Sequence, residues 1–363
     1  MDISSPPGEG SAIPLKHARI LRGPTQVAFD ITNRCNLKCR HCYNRSAENA
    51  VMNDELSDRE VKRLVRDLAY LRPYNVCFCG GETLLRLDLL CQSARELRKN
   101  GVQVSMVSNG WFLTQEVAHR LLDAGVTRVQ ISVDGATPES HAFLRVLPQS
   151  FERATQALDH LKAAGVPEIG VAFTPTRNNC HQVADAYRLC KRLGAGSFRI
   201  QPLMALGRAS QELRSITPTP WQYRELLWSV NELRHTEGAS IEWGDPIDHL
   251  LRFSSIAQHC ISFVTIQANG DIPLSPYLPV SVGNLRRHSL REYWEKGLAR
   301  LWEWELPKSF ARRIKCMDDL GERREGLPSV WFDESLKFDL IDDPSKLTAP
   351  DLTYAFSAKE CHA

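Results

Sequence analysis

The chain has 363 residues, of which 43% are hydrophobic and 24% are charged, and this composition excludes a disordered, collagenous or coiled-coil protein. Its 45 Lys and Arg residues balance 43 Asp and Glu residues, so we expect no nucleic-acid partner. No uncharged apolar run approaches the roughly 18 residues of a membrane span, and the amino terminus lacks the pattern of a signal peptide. We therefore expect no membrane partner and a cytoplasmic location.

The first part of the chain predicts an α/β fold. Residues 1–24 are rich in Pro, Gly and Ser, which is typical of a flexible lead-in. From residue 25 to residue 210, short β-branched runs alternate with helical periods. Six parallel strands joined by crossover helices form either an open doubly wound sheet or an incomplete barrel. The six predicted strands lie in VAFDIT, NVCFCGG, VQVSMVSNG, VTRVQISVDG, IGVAFTPT and SFRIQPL.

The pattern changes after residue 210. We predict a helix near 221–235, short strands around IEWGD and FVTIQANGDIPL, and a helix in SLREYWEKGLARLWEWE. Residues 211–334 are therefore expected to form a small α+β extension. Residues 335–363 are assigned to a carboxy-terminal tail, which follows an irregular stretch with little periodicity.

Three cysteines directly follow the first predicted strand. Cys35, Cys39 and Cys42 have C-x3-C-x2-C spacing, and a reducing cytoplasm keeps such cysteines as thiols or metal ligands. Three thiolates on one loop can bind three irons of a four-iron cluster, which leaves the fourth iron open to an external ligand. A fourth protein ligand would instead favour a closed zinc site. His41 is the nearest such residue, but sequence neighbours rarely reach one metal with good geometry.

The segment ITNRCNLKCRHCY resembles the signature of the radical S-adenosylmethionine (radical SAM) enzymes. The resemblance implies a partial (β/α)6 TIM-like barrel, a 4Fe-4S cluster bound by the three cysteines, and S-adenosylmethionine at the open iron. It also implies reductive cleavage of that cofactor to a 5'-deoxyadenosyl radical, which abstracts hydrogen from a substrate. The electron would come from a flavodoxin- or ferredoxin-type donor.

Polar residues at the ends of later strands resemble further family segments. The glycine-glycine-glutamate segment holds the amino group of the cofactor, and here Thr83 follows it where the family more often has Pro. Ser108 and Asn109, at the end of a middle strand, resemble the pair that contacts the cofactor ribose. Ser132 and Asp134, at the end of the next strand, resemble pocket-facing residues, and Arg145 resembles an arginine near the cofactor carboxylate. The resemblance thus implies these cofactor-binding residues: Tyr43, Gly80, Gly81, Glu82, Ser108, Asn109, Ser132, Asp134 and Arg145.

The segment CISFVTIQANGDIPLSPYLPVSVGN resembles the start of a SPASM or twitch extension. In that family a cysteine usually follows the NGD turn, but this chain has Ser275 at that position. After residue 210 the chain has three cysteines, Cys260, Cys316 and Cys361. Since an additional cluster prefers four thiolates, we expect a degenerate extension without an auxiliary cluster.

The expected loss of auxiliary clusters affects the reaction, since a net oxidation would then need another electron acceptor. A redox-neutral step on a natural-product intermediate becomes more attractive, such as epimerisation, rearrangement or decarboxylation. Epimerisation needs a thiol hydrogen donor, and Cys260 is the first candidate, although a buried core thiol explains it equally well. The remaining cysteines are expected in the core, with Cys79 also able to face the cofactor: Cys77, Cys79, Cys91, Cys180 and Cys190.

Two alternatives stay open from the sequence. One is a SPASM-type dehydrogenase or a peptide-crosslinking enzyme whose extra cluster has unusual ligands. The other is a non-catalytic iron–sulfur or zinc scaffold, which would have no reason to aim cofactor-binding groups at the cysteine loop. The short lead-in before the first strand favours a small-molecule substrate over a peptide, unless a separate protein recognises the peptide.

Overall fold

A curved sheet of eight parallel strands is the centre of the computed structural model, which describes residues 22–204, 206–244, 250, 251, 253, 261–315, 319 and 335–349. Its strands are β1 (Gln26–Thr32), β2 (Asn75–Gly80), β3 (Gln103–Ser108), β4 (Val126–Ser132), β5 (Glu168–Phe173), β6 (Ser197–Ile200), β7 (Ile241–Trp243) and β8 (Phe263–Ile266). Their order is β7-β6-β5-β4-β3-β2-β1-β8. Among the described residues β7 and β8 remain edge strands, so the barrel is open.

The six predicted strands form β1 to β6, and the α/β partial barrel is confirmed. The sheet is larger than predicted, because two strands from the segment assigned to the extension join its edges. Trp243 of β7 is level with Ile200 of β6, and Val264 of β8 is level with Val27 of β1. Short strands carry little information about their partners, since pairing depends on tertiary packing. The six-strand count was therefore too low.

Helices connect the strands and cover the convex side of the sheet. The second helix is capped by Ser57, whose side chain and that of Glu60 form a reciprocal capping box. Other helices end where a residue adopts the left-handed conformation, as at Gly165 with φ of 78°. The helices of the barrel are α1 (Asn49–Met52), α2 (Asp58–Leu71), α3 (Leu87–Lys99), α4 (Gln115–Asp123), α5 (Pro138–Arg145), α6 (Ser150–Ala164), α7 (Val183–Arg192), α8 (Arg208–Ile216) and α9 (Pro220–Glu237).

The two faces of the sheet differ in polarity. On the convex face, Phe29 and Phe78 are fully buried and pack edge to face, with ring centroids 6.2 Å apart. Alternate residues point to the concave face, where Arg128 of β4 lies 3.5 Å from Glu242 of β7. These residues are three strands apart, so their contact requires a strongly curved sheet. The concave face is therefore polar and partly enclosed.

A small second sheet follows the barrel. It has the order β11-β10-β9, with β9 (Asp271–Pro273) antiparallel and β11 (Leu336–Lys337) parallel to β10 (Val280–Asn284). The predicted helix in SLREYWEKGLARLWEWE begins as α10 (Leu290–Glu295) and continues, after Gly297, as a 3-10 helix over Leu298–Glu303. The last described helices are α11 (Glu305–Arg313) and α12 (Pro344–Leu347). None of the helices that the structure describes is long and apolar enough to cross a membrane.

Tyr293 connects α10 to this small sheet. Its hydroxyl donates to Asp339 Oδ2 at 2.7 Å and accepts from the backbone N–H of Asn284 at 3.0 Å. Both Tyr293 and Asp339 are fully buried. A Cβ atom at Gly283 would lie 2.5 Å from the Tyr293 ring, so only glycine allows the ring to pack against the strand.

We predict that Tyr293→Phe lowers the free energy of unfolding by about 1–3 kcal/mol, because it leaves a buried carboxylate without its hydroxyl donor. Tyr74→Phe is the matched control, since Tyr74 is 72% exposed, and we expect it to change stability by less than about 0.5 kcal/mol. Urea denaturation of the three proteins measures both values. Equal midpoints for Tyr293→Phe and the wild type would contradict the assigned role.

Candidate functional site

The three-cysteine loop lies at the carboxyl end of β1, where parallel α/β folds place their ligand groups. Cys39 is buried, and Cys35 and Cys42 are half-buried free thiols. The loop is held by its neighbours, because the Arg40 N–H donates to Leu144 O of α5 at 2.9 Å. Burial raises the pKa of Cys35 to about 12, so this thiol is neutral until a metal displaces its proton.

The spacing of the thiols distinguishes two kinds of metal centre. Thiolates around one zinc ion lie within about 4 Å of one another, since each Zn–S bond is about 2.3 Å. Among the described residues, the three loop thiols do not form a group whose ligand atoms all lie within 4.8 Å. His41 is the neighbouring imidazole, and its Nε2 lies 3.5 Å from Asp134 Oδ2. The loop therefore fits a 4Fe-4S cluster, whose thiolates bind different irons.

Gly80 and Gly81 bring the end of β2 into backbone contact with the cysteine loop. The Gly81 N–H donates to Thr32 O at 2.7 Å, and the Glu82 N–H donates to Arg34 O at 2.8 Å. A Cβ atom at Gly81 would lie 2.2 Å from Arg34 O. The glycines thus permit the close approach of two backbones. The start of the loop continues the hydrogen bonding between β1 and β2.

Glu82 is a fully buried carboxylate that connects three segments of the site. It accepts from Ser108 Oγ at 2.9 Å, from the Asn109 N–H at 2.9 Å and from the Leu84 N–H at 3.0 Å. Burial raises the pKa of Glu82. The hydrogen bonds oppose this effect, because they favour the charged form of the carboxyl group. Asn109 Nδ2 donates to Asn36 Oδ1 at 2.9 Å and lies 3.9 Å from Cys35 Sγ. Glu82, Ser108 and Asn109 are thus brought together beside the loop.

Asp134 organises the opposite side of the loop. Arg145 Nε lies 2.6 Å from its Oδ2, and the Thr174 N–H donates to its Oδ1 at 2.9 Å. Burial opposes the charge of Asp134, but the Arg145 guanidinium prevails and holds its pKa at about 2. Arg145 Nη1 in turn lies 3.8 Å from Cys39 Sγ. The site therefore has a fixed cation next to one metal ligand. Ser132 is buried nearby, at the end of β4.

Tyr43 of the cysteine loop lies close to Asp30 of β1. Asn44 Nδ2 donates to Asp30 Oδ2 at 2.9 Å, and Asp30 raises the pKa of Tyr43 well above its usual range. Burial raises the pKa of Asp30 itself to about 6. The Sγ atoms of Cys77 and Cys79 are 3.5 Å apart. Both thiols are half-buried, which corrects the expectation that Cys77 is a plain core residue.

Arg208 supports the loop from behind, a role that its sequence context did not reveal. Its Nε donates to Cys39 O at 3.0 Å, and its Nη1 donates to Ser46 O at 2.9 Å and to Glu48 Oε1 at 2.7 Å. A Cβ atom at Gly207 would lie 2.4 Å from Tyr43 O. A Gly-Arg pair after the sixth strand is the only signal of this role in the sequence.

The remaining predicted residues are distributed as follows. Cys91, Cys180 and Cys190 are buried, as expected of core thiols. Ser275 is buried, and its Oγ accepts from the Tyr277 N–H at 3.3 Å. The proposed hydrogen donor and its two downstream companions lie outside the described residues: Cys260, Cys316 and Cys361.

Another cluster of potential metal ligands among the described residues lies beside the small second sheet. Ligand atoms of His288, Asp339 and Asp342 lie within 4.8 Å of one another. Arg287 already pairs with both carboxylates, at 3.5 Å from Asp339 and 2.5 Å from Asp342. Asp339 also accepts the Tyr293 hydroxyl. Because these carboxylates are neutralised by protein groups, we assign the cluster a structural role.

Comparison with known proteins agrees with this geometry. Residues 29–189 match the model of the radical SAM superfamily. The AdoMet-dependent heme synthase of Oleidesulfovibrio alaskensis is 30% identical over 291 residues, covering 74% of each chain. The mycofactocin maturase MftC of Mycobacterium tuberculosis is 33% identical over 233 residues, covering 64% of this chain and 57% of that protein. SuiB of Streptococcus suis, solved with S-adenosylmethionine, has a TM-score of 0.60 at 16% identity, covering 77% of this chain and 67% of SuiB.

The open parallel barrel and its three-thiol loop define an enzyme that binds an iron–sulfur cluster and S-adenosylmethionine. The chain belongs to the radical SAM superfamily. Its cofactors are accordingly a 4Fe-4S cluster and S-adenosylmethionine.

We predict that Gly81→Ala sharply reduces iron incorporation and destabilises the protein, because the added Cβ must displace the Arg34 carbonyl of the cysteine loop. Gly196→Ala is the matched control, since the nearest atom to its Cβ would be Ile169 O at 3.8 Å. Iron content after anaerobic reconstitution and thermal unfolding of both variants test this. Full iron loading of Gly81→Ala would show that the close backbone approach is dispensable.

We predict that Asp30→Asn stabilises the metal-free protein above pH 6. Burial raises the pKa of Asp30 from 3.8 to about 6, so the folded chain keeps a proton that the unfolded chain releases, and wild-type stability falls as the pH rises through this window. The variant does not titrate and gains up to about 3 kcal/mol relative to the wild type between pH 4 and pH 7. Urea denaturation across this range measures the difference, with Asp159→Asn on the exposed face of α6 as control; parallel pH profiles for all three would contradict it.

Proposed function

We propose that this radical SAM enzyme performs a redox-neutral step on a natural-product intermediate, either a small molecule or a peptide. The observation that carries the proposal is the distribution of thiols along the chain. Three form the metal loop, two face the barrel interior, and three lie after residue 210. An additional 4Fe-4S cluster prefers four thiolates, so the carboxy-terminal region lacks a full set.

The residues around the loop have distinct roles in this proposal. Cys35, Cys39 and Cys42 would hold the cluster, and the predicted cofactor contacts come from the strand ends between Glu82 and Arg145. When bound, the cluster and S-adenosylmethionine supply a 5'-deoxyadenosyl radical that abstracts a hydrogen atom from the substrate. The fixed Arg145 guanidinium, 2.6 Å from Asp134, can pair with a carboxylate of the cofactor.

The concave face offers thiols for the second half of a redox-neutral reaction. Cys77 and Cys79 lie on one face of β2, Asp30 of β1 is level with Cys79, and Tyr43 of the cysteine loop is close to all three. A thiol there can return a hydrogen atom to a substrate radical; the resulting thiyl radical then needs one electron from the external donor and one proton to become a thiol again. Cys260 remains a further candidate for that role. A serine in place of either cysteine could not return a hydrogen atom to the radical, because the O–H bond is much stronger than the S–H bond.

The relatives support the substrate class without defining the substrate. Heme synthases and mycofactocin maturases are both among the relatives, and SuiB has been solved with its precursor peptide SuiA. A SPASM-type dehydrogenase or a peptide-crosslinking enzyme is the second candidate function, favoured by the likeness to SuiB. The abundance of free cysteines supports a reducing, cytoplasmic setting.

Iron counting tests the proposal. We predict about four irons per chain after anaerobic reconstitution, with cleavage of S-adenosylmethionine to 5'-deoxyadenosine under dithionite. The triple variant Cys35→Ala/Cys39→Ala/Cys42→Ala should lose both the iron and the cleavage. The matched control is Cys91→Ala/Cys180→Ala/Cys190→Ala, which removes three buried core thiols and should keep the cluster if it folds.

Two results would contradict the proposal. About eight irons, half of them retained in the triple variant, would demonstrate an auxiliary cluster and favour the dehydrogenase or crosslinking function. Four irons without any cleavage of S-adenosylmethionine would favour a non-catalytic scaffold.

A further inference from the structure

Two thiols of β2 lie side by side on the concave face of the sheet. Cys77 and Cys79 are two residues apart in the strand, so their side chains project from the same face. The Cys79 thiol donates to the Cys77 sulfur, and the two Sγ atoms are 3.5 Å apart. Both thiols are free and half-buried, whereas Val76 and Phe78, which alternate with them, are fully buried on the helix side. The pair is therefore open to the interior of the barrel.

The geometry of the strand allows this pair to form a disulfide. A strand rises about 3.3 Å per residue, which places the two Cα atoms about 6.6 Å apart. Disulfides span Cα distances of about 4.4–6.8 Å, so a bridge between these two residues lies at the upper end of the permitted range. Such a bridge is strained and easily reduced, which is typical of catalytic disulfides and not of structural ones.

The surroundings of the two thiols make them unequal. The hydrogen bond from Cys79 lowers the pKa of Cys77. Ser105, which is level with Cys77 on β3, and Arg128 of β4 act in the same direction. The same hydrogen bond, together with burial, raises the pKa of Cys79 well above its usual range, and Asp30 adds to this effect. Cys77 is therefore the thiol that ionises more easily, and Cys79 keeps its S–H bond.

Cys79 is also the thiol nearer to the metal loop. It directly precedes Gly80 and Gly81, where the backbone of β2 meets the start of the loop. It is level with Asp30 near the carboxyl end of β1, whereas Cys77 lies two residues further from that end. A radical formed at the loop end of the barrel therefore meets the S–H bond of Cys79 first, and Cys77 lies behind it.

We propose that Cys79 and Cys77 act as one redox-active dithiol, which returns a hydrogen atom to the substrate radical and closes to a disulfide. This inference rests on the proposed function, because only a radical reaction needs such a donor. A lone thiol donor is left as a thiyl radical that has to wait for an external electron. In this chain a second sulfur lies 3.5 Å from the first, so the thiyl radical has a partner within the strand.

The step balances in atoms and electrons. The S–H bond of Cys79 breaks as a C–H bond of the product forms, which replaces the hydrogen atom that the 5'-deoxyadenosyl radical removed. Cys77 releases its proton to solvent, and its thiolate binds the thiyl radical, which leaves one extra electron on the new S–S bond. An oxidised iron–sulfur cluster, which the cofactors of this family supply, accepts that electron. A dithiol reductant of the thioredoxin or dithiothreitol class then returns two electrons and two protons.

The redox behaviour of the pair can be measured without the substrate. The reconstituted full-length protein is equilibrated anaerobically with mixtures of reduced and oxidised dithiothreitol, quenched with acid, alkylated and digested. Mass spectrometry then quantifies the disulfide between Cys77 and Cys79. We expect this bridge to form and to reopen reversibly, while the buried thiols of Cys91, Cys180 and Cys190 stay reduced. A pair that stays reduced throughout the titration would overturn the proposal.

A second measurement follows the pair during cleavage of S-adenosylmethionine. The reconstituted protein receives the cofactor and limiting dithionite in D2O, with no added thiol, so that the 5'-deoxyadenosyl radical takes the place of the substrate radical. We expect the disulfide to accumulate in step with 5'-deoxyadenosine, and deuterium from the exchanged thiol to enter that product. Cys79→Ser should lose both signals, whereas Cys77→Ser should lose the disulfide and keep the deuterium. Cys91→Ala, which removes a buried thiol elsewhere, should keep both.

The outcomes separate this proposal from the proposed function. Wild-type protein that forms 5'-deoxyadenosine without the disulfide would overturn the dithiol and leave the radical enzyme intact. Equal deuterium contents in Cys79→Ser and the wild type would also overturn it, because the hydrogen would then have another source. If a serine variant does not fold, the alanine variant replaces it, and the titration of the wild type needs neither. A protein whose pair closes reversibly but which never cleaves S-adenosylmethionine would instead refute the proposed function.

Discussion

A loop without regular structure has to hold three thiols in fixed positions, and the rest of the site depends on meeting that constraint. Such a loop has no internal ladder of hydrogen bonds, so its backbone groups need partners elsewhere. Thr32 and Arg34 carbonyls bind the end of β2, Leu144 of α5 accepts from Arg40, and Arg208 of α8 donates to Cys39. The loop is therefore a product of the assembled barrel and not of its own sequence.

Two buried carboxyl groups of this site have pKa shifts of opposite sign. Asp134 has an arginine partner at 2.6 Å and stays ionised, whereas Asp30 accepts a hydrogen bond from the neutral amide of Asn44 and holds its proton more tightly. The difference arises because a cation offsets the cost of desolvation and a neutral donor does so only in part. The site thus combines a fixed ion pair beside Cys39 with a carboxyl group, Asp30, that changes its protonation state near pH 6.

Much of this arrangement could be predicted from the sequence, and the remainder depends on contacts between distant segments. The first six strands have clear alternation, and the spacing of Cys35, Cys39 and Cys42 limits the metal chemistry, so both were recognised. The edge strands β7 and β8 have only three and four residues, which is too short to reveal a partner. The function of Arg208 depends on carbonyls more than 160 residues earlier, and no local pattern reports such a contact. The half-buried position of Cys77 follows from sheet curvature, which alternation alone does not show.

The long-range anchoring of the loop has a consequence for biosynthesis. The ribosome delivers the three thiols early, but the Arg208 anchor follows Cys39 by 169 residues, and β8, which pairs with β1, comes later still. At a synthesis rate of about 5–20 residues per second, the thiols are exposed for many seconds before any site exists to organise them. Iron loading therefore has to follow completion of the barrel, and the nascent chain has to be protected from oxidants and stray metals during that interval.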